Sequence, residues 1–92
     1  NGDIVQLFGT HLAFLIGKPV MACKGLIRFA IHDYFDNHNK EPSPVGYSQF
    51  MDILNNQIKD RLTQTHLPHT LKVIDQLRNE VVKNQAIFTI HQ

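Results

Sequence analysis

Several things are scarce in this 92-residue chain, and each scarcity excludes something. There is no tryptophan and a single cysteine, Cys23, so an internal disulfide is impossible. A lone thiol points to a reducing compartment, and its setting in a helical pattern points to a small packing residue rather than a reactive group. Net charge is almost absent: Lys+Arg 9 against Asp+Glu 8 leaves +1, and the basic residues form no run. No net field therefore draws the chain to nucleic acid, anionic lipid or an acidic substrate. A long hydrophobic run is missing too. The most apolar window, residues 12–31, is interrupted by Lys18, Pro19, Lys24 and Arg28, which an ordinary span of roughly 20 apolar residues does not tolerate.

The glycines Gly2, Gly9, Gly17, Gly25 and Gly46 are isolated, so no glycine-rich turn cradles a phosphate. HExxH, a paired CxxC and a nucleophile elbow are all missing. We therefore expect no enzyme activity, no cofactor and no metal site. The opening residues carry neither a basic signal-peptide region nor an initiator methionine. This leads us to expect a cytoplasmic protein, trimmed or cut from a longer chain.

What is present is helical patterning. With 42% hydrophobic residues, a chain of this length can bury one core, and we expect a single helical domain over 1–92. The clearest stretch is 21–37: Ile27, Ala30, Ile31, Tyr34 and Phe35 share one side, flanked by Cys23 and Leu26. Lys24, Arg28, His32 and Asp36 follow at steps of four on the other. Gly25 inside this pattern either marks a close helix crossing or weakens the helix by about 1 kcal/mol relative to alanine.

Upstream, Asp3 caps a first helix running to about Ile16, with Ile4, Leu7, Phe8, Leu12, Leu15 and Ile16 apolar. A helix apolar almost all round is surrounded, either by the rest of the domain or by a second copy. Gly17-Lys18-Pro19 ends it, since glycine accepts a left-handed closing residue and proline cannot continue the hydrogen-bond ladder. A polar linker over 37–44 follows, with Ser43-Pro44 as a helix-start signal. The third helix, about 45–63, carries the stripe Tyr47, Phe50, Met51, Leu54, Ile58 and Leu62. A turn at 65–68 leads to a fourth helix, about 68–83, with Leu67, Leu71, Ile74, Leu77 and Val81 inward. Residues 86–90 are β-branched and aromatic enough for a short strand, yet no partner strand is evident. They are equally read as a helix extension, a tail on the core, or a segment pairing across a dimer.

Six histidines invite a metal hypothesis. His32 and Asp36 share a helix face with His38 nearby, but the row they belong to reads as a solvated face with a weak histidine–aspartate pair. His66 and His69 bracket Pro68, where turn or capping duty fits better than ligation.

Two functional readings follow. In the preferred one the fold is all-α, a small four-helix bundle-like domain with a short strand-like tail. It acts as a non-catalytic interaction or regulatory module that self-associates, presenting Leu7, Phe8, Leu12, Phe14, Leu15, Ile87, Phe88 and Ile90 to a protein partner or second copy; completion of the monomer's own core is the competing role for these side chains. The alternative is a winged helix-turn-helix-like DNA-binding domain, with His66, His69, Thr70 and Lys72 at the leading end of the helix at 68–83, and Arg78 and Lys83 on phosphates. Near-zero charge, a long third helix and a chain stopping at Gln92 before a wing returns all oppose it.

Overall fold

The computed structural model describes residues 1–36 and 44–89. Among them the chain is all helical: α1 (Gly2–Ile16), α2 (Val20–Phe35), α3 (Tyr47–Ile53), a π-helical segment (Leu54–Ile58), α4 (Lys59–Gln64), α5 (Thr70–Lys83) and α6 (Ala86–Thr89). The segments from Tyr47 to Gln64 follow one another without a break and act as one rod. Four rods result, each antiparallel to its neighbours: Gly9 meets Lys24, Arg61 meets Phe29 and Asp33, Arg78 meets Asn55, and His11 meets Glu80. This is the short-loop bundle expected for an all-α chain of this pattern.

The ends form for local reasons. Gly17 adopts φ 66° and its amide donates to the Ala13 carbonyl at 2.9 Å, closing α1 in the left-handed conformation that glycine takes without penalty. Pro19 then precedes α2, where its missing donor costs nothing. At the start of α1 the order differs from expectation. The helix begins at Gly2, so Asp3 sits inside the first turn, where a carboxylate complements the helix dipole. Asn1 is tied elsewhere, its Oδ1 accepting from the Val45 amide at 2.9 Å.

The third rod starts at Tyr47, with Gln49 Oε1 accepting from the Gly46 amide at 2.9 Å, the return half of a capping box. Pro44 and Val45 lie outside the helix, and Ser43 lies outside the described residues. The π-helical segment explains the stripe. Phe50, Leu54, Ile58 and Leu62 are all buried although spaced strictly by four. In a pure α-helix three steps of four drift by roughly 120° around the axis, and the wider π turns unwind part of that drift.

The core gathers Ile4, Phe8, Leu12, Ile27, Ile31, Ile53, Leu54, Ile58, Leu62, Ile74, Leu77 and Val81. Inside it an aromatic cluster joins three elements: Phe8 to Phe50 at 4.9 Å between ring centroids, Phe50 to Phe88 at 5.5 Å and Phe8 to Phe88 at 6.0 Å, with Tyr47 edge-on to Phe88 at 5.9 Å. The tail is thus a helical turn laid on the core, not a strand; no strand occurs among the described residues. Two other expectations change. α5 begins at Thr70, and it buries Val73 while Leu71 is 66% exposed. These two residues are about 200° apart around a helix, so one arc cannot bury both. The close crossing of the α1–α2 hairpin falls at Gly9, not Gly25. A Cβ on Gly9 would lie 2.6 Å from Lys24 Cγ and 2.9 Å from Lys24 Cα, whereas one on Gly25 meets nothing within 4 Å.

Two stability tests follow. Gly9→Ala must push the hairpin backbone apart and is expected to destabilise by about 1–3 kcal/mol in urea unfolding. Gly25→Ala, by contrast, should stabilise by about 0.5–1 kcal/mol through helix propensity alone. Phe88→Ala, removing a fully buried ring from the three-way cluster, should cost about 3–5 kcal/mol; an unchanged midpoint would mean that the tail contributes nothing to the fold.

Candidate contact surface

Apolar side chains proposed for contact divide into three groups. Phe8, Leu12 and Phe88 are at most 1% exposed in the single chain. They are core residues and present nothing outward. Leu7, Leu15 and Ile87 are half-buried against that core. Phe14 is 86% exposed, and Ile90 lies outside the described residues. The physical reason is position on α1: the arc of Ile4, Val5, Phe8, Leu12 and Ala13 is covered by the other helices, and Phe14 projects past its edge.

Phe14 stands between two grooves along the seam of α1 and α5. One, of about 770 Å³, is floored by Leu7 and Leu15 and rimmed by His11, Glu80 and Lys83. His11 Nε2 lies 3.4 Å from a Glu80 carboxylate oxygen across it, and Lys83 Nζ lies 3.7 Å from the other oxygen. The second, about 410 Å³, continues past Phe14 to Leu67, His69 and Lys72. On the far side of the molecule Met21 and Phe29 line a third groove of about 460 Å³. There the Arg61 guanidinium lies 5.6 Å from the centroid of the Phe29 ring and bonds Asp33 at 2.5 Å.

Residues proposed for duplex DNA are not gathered into one free basic strip. His66 and His69 sit in the turn before α5 with φ 58° and 62°, left-handed values that are costly for a residue with a Cβ. Their backbones thus belong to the turn, and the His69 side chain makes no capping hydrogen bond. Thr70 donates from its hydroxyl to the Leu67 carbonyl at 2.9 Å, and Lys72 is exposed. Arg78 bonds Asp75 at 2.6 Å and Asn55 at 2.7 Å, and Lys83 faces Glu80. Two of the expected phosphate contacts are thus already turned toward carboxylates of the same helix.

Among the described residues no three histidine, cysteine or acidic side chains converge as a metal site would require. His38 lies outside them, and Asp36 leaves the helical row, closing α2 at φ 49°. His32 lines a cleft of about 360 Å³ with Lys24 and Arg28, facing the first turn of α1. Cys23 is buried at 2% exposure, and desolvation pushes its thiol up from the ordinary value. No known family, characterised protein or solved structure matches the chain.

The signal missed in the sequence was exposure. Leu71 reads as an inward residue of its helix and Met21 and Phe29 carry no signal of their own, and only the packed bundle shows all three outside. Cys23 yields the test here: in native buffer a thiol reagent should label it slowly, with the rate rising steeply as denaturant opens the bundle. Fast stoichiometric labelling of the folded protein would contradict its burial.

Proposed function

We propose that this chain is a non-catalytic helical module that works through protein–protein contact, its first partner being a second copy of itself. The observation that carries the reading is Phe14: a phenylalanine 86% exposed on an otherwise packed helix, with an apolar-floored groove on either side. Burying such a ring in a partner is worth about 1.5–3 kcal/mol, and contiguous exposed apolar surface on a small domain marks a contact site. The groove rim carries both signs of charge, with Lys83 and His11 beside Glu80. A twofold-related copy can therefore set Lys83 of one chain against Glu80 of the other. Leu7 and Leu15 form the floor of that contact. A duplex-DNA reading has less support, because Arg78 is bonded to Asp75 and Asn55 and the exposed Lys83 lies near Glu80.

Sedimentation velocity at micromolar concentration tests the proposal. The wild type should show a concentration-dependent dimer and Phe14→Glu a monomer with an unchanged thermal midpoint. A wild type that sediments as a monomer throughout would remove self-association from the reading.

A further inference from the structure

Net charge conceals how charge is distributed over this bundle. Residues 4–32 and 61–74 contain no aspartate or glutamate. The antiparallel packing brings the inner parts of those two stretches to one end of the molecule. There the C-terminus of α1, the N-terminus of α2, the C-terminus of α4 and the N-terminus of α5 meet around Gly17 and the turn at 65–69. The nearest acids in sequence, Asp60 and Asp75, are each set back more than a helical turn. Lys18, His66, His69 and Lys72 are all exposed at this end, and among the described residues neither lysine has a carboxylate within ion-pair reach.

The same end holds most of the exposed apolar side chains. Met21 is 78% exposed, Leu71 66% and Val20 40%, with Phe14 at the rim. They come from three different segments around the end of a body with extents of 35 × 30 × 21 Å. An interhelical groove would align such residues along one line; here they stud an end.

From this juxtaposition we propose that the Gly17 end of the bundle docks on an anionic lipid surface, Val20, Met21 and Leu71 entering the headgroup region while Lys18 and Lys72 meet the acidic headgroups. Complementarity selects this occupant. Shallowly inserted apolar side chains flanked by lysines are the physical signature of interfacial binding, and each lysine near an anionic leaflet contributes about 1 kcal/mol. A second copy docked end to end would set Lys18 and Lys72 against their own images, with no carboxylate among the described residues at that end to neutralise them. No helix among the described residues is long and apolar enough to cross a membrane, so the contact is peripheral. Its apolar members Val20, Met21 and Leu71 line neither α1–α5 groove, although Lys72 also borders the second of them, and the contact does not depend on self-association.

Co-sedimentation with vesicles decides it, using phosphatidylcholine alone against phosphatidylcholine with about 30 mol% phosphatidylserine. The full chain should partition to the anionic vesicles only, and lose that binding as salt rises from about 50 to about 500 mM. Lys18→Gln and Lys72→Gln should each weaken partition about fivefold, the factor corresponding to ~1 kcal/mol per lysine. Met21→Glu should abolish it with circular dichroism unchanged, while Phe14→Glu should retain most of it. Equal partition to both vesicle types, or none to either, overturns the proposal and leaves an acidic protein segment as the occupant of this end. Unaltered binding of Met21→Glu and Lys72→Gln overturns it as well, by placing the lipid contact elsewhere.

Discussion

The fold hangs on how closely α1 and α2 approach at Gly9. With no side chain there, Lys24 Cα comes to the distance at which a Cβ would collide, and this pair of helices packs more extensively than any other in the molecule. Because α1 lies so near α2 at Gly9, the adjacent Phe8 is delivered into the centre of the bundle. There it meets Phe50 from α3 and Phe88 from α6. The missing side chain and the large one are neighbours in sequence, and together they set the depth and direction at which the remaining helices dock.

From that hairpin the outer features follow. Covering α1 on the Ile4, Phe8 and Leu12 arc consumes its apolar surface inside one chain and leaves Phe14 past the edge. Covering the third rod on a constant spacing of four requires it to unwind locally, which the segment Leu54–Ile58 does. Sealing the far side calls on Phe88, so the last described turn is a lid on the core rather than a free tail. The surface proposed for contact is then what remains: the two grooves beside Phe14, and an end where lysines and apolar side chains sit with no acid among the described residues.

How legible was this in the chain? The helical periods, the Gly17 stop and the all-α class were readable, because they depend on interactions within about a turn. The face of α5 was not. Leu71 and Val73 fit the period equally well until a neighbouring rod covers one of them. Gly25 reads either as a crossing or as a weak point because it interrupts a clean amphipathic pattern, while Gly9 lies in a helix already apolar on most sides, where no pattern singles it out. The histidines at 65–69 read as turn or capping residues; their left-handed backbone fits the turn, and no side-chain cap forms at His69.

What the sequence by itself determined is therefore local: roughly where the main helices lie, that no disulfide framework is possible, and that one thiol stands alone. What only the tertiary structure decided is which side of each helix is inside, that Phe8, Leu12 and Phe88 are core, and that a nearly neutral chain carries an end with no acid among its described residues. The reason is that periodicity defines a helix's apolar arc only to within the width of that arc, and the packing partner selects the centre. Net charge is a sum and carries no direction; antiparallel packing of stretches distant in sequence supplies one.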